Sequence, residues 1–185
     1  MSFQEQDVRC LERITDGDSR ALRELYDRYG ALLYPVAHRI LGNAADAEDA
    51  VQRTWVQVWR TSASYDPRRG VVAAWLLTMV RSRALDLVRS LSSRRRAEEA
   101  VDPEPASPAP DPSDSADRRN LRERVRAALD SLAPSQRQVL EIAYFEGLSQ
   151  SQIAERLGTP LGTIKSWTRQ GLQRLKEILP KEEWL

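Results

Sequence analysis

Ser149-Gln-Ser-Gln-Ile-Ala-Glu-Arg-Leu-Gly158-Thr-Pro-Leu-Gly-Thr-Ile-Lys-Ser-Trp-Thr-Arg-Gln170 carries helix signals at both ends and a turn in the middle. Ser149 with Gln152 predicts a capping box: the hydroxyl accepts the backbone N–H three residues on, and the Gln side chain reaches back. The short helix this starts, over 150–157, ends at Gly158. Thr159 then offers an N-cap, and Pro160 suits the first position of a second helix, where its missing N–H costs nothing. That helix is predicted over about 161–179, before Pro180. Helix, short Gly-containing turn and helix make a helix-turn-helix. In such modules the second helix enters the major groove, with its N-terminal part on base edges. Ile164, Trp167, Gly171, Leu175 and Ile178 share one face and should pack inward. Thr163, Lys165, Ser166, Arg169, Gln170 and Gln173 lie around the other faces. From Leu161 to Lys176 the basic residues are Lys165, Arg169, Arg174 and Lys176, with no acid among them, which suits a phosphate-rich partner.

Upstream, two more apolar stripes at helical spacing precede this motif. One is Leu121, Val125, Ala128, Leu129 and Leu132, ended near Pro134. The other is Val139, Leu140, Ile142, Ala143, Tyr144 and Phe145, ended by Gly147. Before them stands a stretch of different character. Pro103, Pro105, Pro108, Pro110 and Pro112 are five of the ten prolines, and Val101 is the one aliphatic residue larger than Ala from Ser92 to Asp117. Such a segment cannot bury enough surface to offset its ordering entropy. It predicts an extended, polyproline-like linker over 92–120 between a unit at 1–91 and a unit at 121–185.

The N-terminal unit also predicts helices. Leu22, Leu25, Tyr26, Tyr29, Leu32, Leu33, Val36, Ala37, Ile40 and Leu41 form a stripe stopped by Gly42-Asn43. A second runs from Ala45 to Arg60 with Ala47, Ala50, Val51, Thr54, Trp55 and Val58 on one side. A third, Val72 to Leu91, carries Trp75, Leu76, Met79, Val80, Leu85 and Val88. Thr61 to Gly70 is rich in turn residues. No segment alternates like a strand, so the expected fold is all-α: two small helical domains joined by the linker.

Composition narrows the function. The chain has 185 residues, 28 basic and 27 acidic, for a net charge of +1; 41% are hydrophobic and 30% charged. A near-neutral total argues against coating nucleic acid or membrane by bulk attraction, and leaves recognition to local patches. One cysteine (Cys10) and one histidine (His38) exclude an intrachain disulfide and a structural zinc site. The N-terminus lacks a signal-peptide pattern, and no apolar run approaches the ~20 residues of a membrane helix. These features predict a cytoplasmic protein with no metal, cofactor or catalytic constellation.

Leu132-Ala-Pro-Ser-Gln-Arg-Gln-Val-Leu140, Tyr144-Phe-Glu-Gly-Leu-Ser149, Ile153-Ala154 and Gly162-Thr-Ile-Lys-Ser166 resemble region 4 of bacterial sigma factors. Ala45-Asp-Ala-Glu-Asp-Ala-Val-Gln52, followed by Trp55 and Trp59, resembles region 2.2. Trp75-Leu-Leu-Thr78 and Arg81-Ser-Arg-Ala-Leu-Asp-Leu-Val-Arg89 resemble regions 2.3 to 2.4. Both halves, in order and with no domain between them, resemble the extracytoplasmic-function (ECF, group IV) class over about residues 18–91 and 121–179.

The resemblance implies a transcription initiation factor that binds core RNA polymerase at its beta-prime clamp and beta flap, reads promoter DNA and helps open it. It also implies a cognate anti-sigma factor that holds the chain inactive, at the membrane if the anti-sigma factor lies there. By this likeness Asp46, Glu48, Asp49 and Gln52 dock on the clamp, although acids in a first helical turn also favour the helix dipole without any partner. The loop Thr61–Val72 reads an unpaired base of the −10 element, with Tyr65 offering a ring unless it tucks onto the core. Arg68, Arg69, Arg81, Arg83 and Arg89 track −10 DNA, and the run Arg94–Arg96 is either further DNA contact or solvated charge. Arg137, Thr163, Lys165, Ser166, Arg169 and Gln170 contact the −35 element; arginine and lysine suit guanine, glutamine suits adenine. Departures from the family pattern fall at Gln152, where the cap survives, at Arg53 in the docking helix, at Ser82 among the −10 positions, and at Trp167 and Gln170, which imply a different −35 specificity within the family.

Three rivals make different demands. A helix-turn-helix regulator acting without polymerase requires a ligand or receiver domain in the N-terminal half, the latter with βα alternation. A metal-dependent nuclease requires Asp46, Glu48, Asp49 and Asp86 to gather around a cation. A protein–protein adaptor requires no DNA-facing charge.

Overall fold

Every regular element among the described residues is helical. A computed structural model describes residues 3–97 and 126–179. They fall into two compact units, one within 3–97 and one within 126–179. The Pro-rich stretch, Leu121 and Val125 lie outside the described residues, as do the side chains of Arg94, Arg95 and Arg96.

The first unit contains α1 (Phe3–Thr15), α2 (Ser19–Leu41), α3 (Ala44–Thr61) and α4 (Val72–Ala97). Its core gathers Leu11, Ile14, Leu25, Leu33, Trp55, Val58, Val72, Leu76 and Val80, each at most 5% exposed. α2 is the central element, packed against α1, α3 and α4. Asp18 caps α2 by accepting from the Arg20 amide at 2.8 Å. Pro35 lies inside α2 and removes one backbone bond, a loss that costs about 3 kcal/mol in a free helix. The helix continues because Leu33 and Ala37, on either side of the proline, are fully buried. Gly42 ends it in the left-handed region at φ 77°, as the Gly42-Asn43 signal predicts.

Two features depart from expectation. α1 has no counterpart among the predicted stripes. Its buried residues, Asp7, Cys10, Leu11 and Ile14, recur at helical spacing, but an acid and a thiol hold two of the positions and hide the pattern. The linker expected from residue 92 also fails to begin there, since α4 runs to Ala97. Ser-Leu-Ser-Ser-Arg-Arg-Arg-Ala contains neither Gly nor Pro, and arginine is a good helix former.

The second unit opens with helical residues 126–130, followed by α5 (Pro134–Glu141), one wider π-type turn (Ile142–Glu146), α6 (Gln150–Leu157) and α7 (Leu161–Ile178). Val139, Ile142, Ile153 and Ile164 form its core, with Leu148, Leu157 and Trp167 packed around them. α7 approaches α5 closely at Gly171, where an added Cβ would sit 2.9 Å from Leu140 Cδ1.

Candidate nucleic-acid interface

The turn between α6 and α7 fixes how α7 is presented. The Ser149 hydroxyl accepts from the Gln152 amide at 3.3 Å, and Gln152 Oε1 accepts from the Ser149 amide at 2.9 Å, so the predicted capping box is formed. Gly158 takes φ 59°, and its amide and that of Thr159 bond back to Glu155 and Ala154. Thr159 does not cap α7. Pro160 does, with φ −54° and ψ 137°, its carbonyl accepting from Thr163 and Ile164 at 2.9 and 3.2 Å. The residue before a proline is kept out of the helical region. Thr159 accordingly turns its hydroxyl onto the Leu157 carbonyl at 3.2 Å.

Ile153 of α6 and Ile164 of α7, both fully buried, lock the two helices together. Gly171 is buried and Trp167, Leu175 and Ile178 are half-buried, so the predicted inward face packs inward. Lys165, Ser166, Arg169 and Gln170 are exposed, and Thr163 is half-buried beside them. Gln170 is held from two sides: its Nε2 donates to Ser166 Oγ at 3.2 Å, and its Oε1 accepts from Gln136 Nε2 at 3.1 Å. Lys165 and Arg169, one turn apart, make no ion pair among the described residues. Arg137 is different. It donates to Glu141 at 3.0 Å and to Asp130, so a DNA contact by Arg137 must compete with two carboxylates.

In the first unit, Asn43 starts α3 by accepting from the Asp46 amide at 2.8 Å, and its own amide donates to the Asp46 carboxylate at 2.6 Å. Asp46 is thus engaged in the cap. Asp49 pairs with Arg53 at 2.6 Å, whereas Glu48 and Gln52 are exposed. The same outer face carries Val56 and Trp59, 52% and 39% exposed. Together with the polar Gln52 they stand at i, i+4 and i+7 on one side of α3, so Val56 and Trp59 form an apolar pair outside the core stripe. Tyr26 of α2 is also exposed, its ring 5.4 Å from that of Trp55. Asp46, Glu48, Asp49 and Asp86 belong to no group of three potential metal ligands among the described residues.

The loop between α3 and α4 holds two short 3-10 turns, Ser62–Ser64 and Pro67–Arg69. Tyr65 lies half-buried between them, its ring edge-on to Trp75 at 5.5 Å between centroids. Its hydroxyl donates to the Gly70 carbonyl at 2.8 Å. Burial pushes the Tyr65 phenol above its ordinary pKa. Asp66 accepts two bonds from the Arg68 guanidinium, each 3.0 Å, and these hold its carboxyl below the usual range. Arg69 is exposed beside them. Along α4, Arg83 donates to Gln57 at 2.8 Å, Arg89 pairs with Asp86 at 3.2 Å, and Arg81 is half-buried and already engaged.

Family models for sigma-70 region 2 and sigma-70 region 4 match residues 25–94 and 128–177. The chain is similar to the ECF RNA polymerase sigma factor SigK of Mycobacterium sp. (strain JLS), 37% identical over 174 residues that cover 91% of this chain and 88% of that protein. It is 34% identical over 170 residues to the SigK of Mycobacterium tuberculosis (strain H37Ra), which cover 91% of each. Among solved structures, it is similar to Rhodobacter sphaeroides SigE in complex with the anti-sigma ChrR, with a TM-score of 0.47, 27% identity, and coverage of 95% of this chain and 99% of that one.

Proposed function

The chain belongs to the ECF RNA polymerase sigma factors, and on that footing we propose a division of labour between its surfaces. It is an alternative sigma factor, which binds core RNA polymerase and directs it to promoters. The outer face of α3 docks on the polymerase clamp. Glu48 and Gln52 supply its polar contacts and Val56 and Trp59 its apolar ones, while Asp46 and Asp49 hold the helix start and charge in place. α7 enters the −35 major groove, with Lys165 and Arg169 on phosphate or guanine and Ser166 and Gln170 beside them. Arg137 joins by exchanging an acid for a phosphate. The exposed edge of the α3–α4 loop, with Arg68 and Arg69, meets the −10 strand, and Arg81, Arg83 and Arg89 extend the track along α4. The first unit, whose α4 runs to Ala97 and so past the expected boundary at residue 91, serves polymerase and −10, and the second unit serves −35.

The observation that carries the DNA assignment is the acid-free exposed face of α7 over 161–176, on which Lys165 and Arg169 make no ion pair among the described residues. The protein works by binding, without a catalytic centre, in the cytoplasm where polymerase and promoter are. An anti-sigma factor covers the apolar Tyr26, Val56 and Trp59 surface and so blocks loading. No helix among the described residues is long and apolar enough to cross a membrane.

Start sites mapped with purified core polymerase, with and without the protein, test the whole reading. New protein-dependent starts sharing a −35 and −10 pair are expected; their absence refutes it. Lys165→Ala with Arg169→Ala should weaken −35 binding and lower its salt slope by about 2, with core affinity unchanged. Loss of core affinity instead would remove the role given to α7.

A further inference from the structure

α1 lies against the loop that meets the −10 strand and bonds it at both ends. Near the start of α1, the Gln4 carboxamide uses both of its ends. Nε2 donates to the Tyr65 hydroxyl at 2.7 Å, and Oε1 accepts from the Val72 amide at 3.2 Å. The second bond satisfies one of the free N–H groups at the start of α4. The Tyr65 hydroxyl is then fully used, accepting from Gln4 and donating to Gly70. At the other end of α1, Thr15 Oγ1 lies 2.9 Å from Ser62 Oγ. Thr15 spends its own hydrogen on the Leu11 carbonyl, so Ser62 donates. The inner side of the loop, through Ser62, Tyr65 and Val72, is thereby fastened to α1, and its exposed edge carries Ala63, Ser64, Arg68 and Arg69.

We propose that Gln4 is a positioning residue for −10 recognition: through Tyr65 and the Val72 amide it holds the Thr61–Val72 loop in the shape that receives the unpaired strand, with Tyr65 as an internal post and not the stacking surface. This rests on the loop being the −10 reader. The physical argument is preorganisation. A loop of short turns and small residues loses conformational freedom when it binds, and a loop already fixed on the free protein loses less at that step. Gly70, at φ 142° and ψ 177°, adopts a backbone that other residues avoid, and the Tyr65 hydroxyl holds its carbonyl there. Without Gln4 the hydroxyl loses its donor and the start of α4 loses its acceptor together.

The test uses holoenzyme reconstituted from core polymerase and the full chain, with a single-stranded −10 oligonucleotide taken from a mapped promoter. Gln4→Ala and Tyr65→Phe should each weaken binding of that strand about five- to tenfold, the scale of one to two hydrogen bonds. The double variant should bind no more than about twofold worse than the weaker single, because both act through one clamp. Core affinity and −35 duplex binding should stay unchanged. Discrimination among single-base variants of the −10 strand should narrow, which a general loss of stability would not produce. Hydrogen exchange should quicken at residues 61–72 and stay unchanged in α2 and α3. Wild-type strand binding in both singles, multiplying effects in the double, or a parallel fall in core affinity would overturn the proposal. Arg68→Ala with Arg69→Ala separates the two readings. If that variant binds the −10 strand normally, the loop is not the reader; the exchange measurement on Gln4→Ala then still decides whether the clamp exists.

Discussion

Asp7 sits on the core side of α1, 1% exposed, and its two carboxylate oxygens accept from Arg28 and Tyr29 of α2. Burial raises its pKa, and the bonds from Tyr29 and Arg28 pull part of the way back. Arg28→Met keeps the aliphatic stem and removes the charge. Breaking a fully buried pair costs about 3–5 kcal/mol, and losing one charge-assisted hydrogen bond about 1.5–3. The Arg28 side chain is 27% exposed, so water reaches part of the pair, and Tyr29 stays on the other oxygen. The expected loss at pH 7.5 is therefore about 2–3 kcal/mol, or about 10–20 °C in Tm for a unit of this size. A carboxyl with a raised native pKa binds more protons folded than unfolded. Its contribution is thus most favourable at low pH and worsens as pH rises through the window above the ordinary value. Removing Arg28 removes a lowering influence and moves that window further up, so the deficit of Arg28→Met should shrink between pH 7.5 and pH 5.5. Asp7→Leu added to Arg28→Met should recover most of the stability, since no buried charge remains. Urea unfolding followed by circular dichroism, with hydrogen exchange of α1–α4 peptides to isolate the first unit, measures all three. A single variant within about 0.5 kcal/mol of the parent, the ordinary scatter of surface changes, or a double no better than the single, refutes the reasoning.

Burial and the bond to Glu24 push the Cys10 thiol up to about 11, so the folded protein should resist alkylation at pH 8 and react only on unfolding; fast native reaction would contradict the packing. Trp59→Ala should weaken core binding at least about tenfold, as an exposed aromatic anchor does, and leave unfolding unchanged. Gly171→Ala should be close to neutral, because a helix-propensity gain of about 1 kcal/mol is set against displacement of the Leu140 methyl, whereas Gly171→Leu should cost about 1–3 kcal/mol by overpacking. Calorimetric unfolding of the two variants decides between relaxation and clash.

α2, α3, α5, α6 and α7 were legible in the sequence because each shows its buried side as apolar spacing and its ends as Gly, Asn, Ser or Pro. Ile164 and Gly171 could be assigned to the core, and Lys165 and Arg169 to the surface, from periodicity alone. α1 could not. Two of its four inward residues are Asp7 and Cys10, and a carboxylate counts as a surface residue until Arg28 and Tyr29 are seen to receive it. The candidate site divides in the same way. Which charges are present was plain, but which are already occupied was not. Arg137 has two acids, Asp49 has Arg53, and Asp46 has the Asn43 cap, whereas Lys165 and Arg169 have no ion pair among the described residues.

The linear order of residues was enough for the helical class, the helix-turn-helix and the family. The first two depend on spacing within about 3–4 residues, where helix geometry alone relates one side chain to the next, and the family on the likeness of whole motifs to known ones. The orientation of Tyr65, the acceptance of a buried Asp7 and the anchoring of the loop by Gln4 depend on residues up to 68 apart along the chain. Those relations arise when α1 packs onto α2 and against the loop. A buried polar group is tolerable only with its partner in place, and packing supplies the partner.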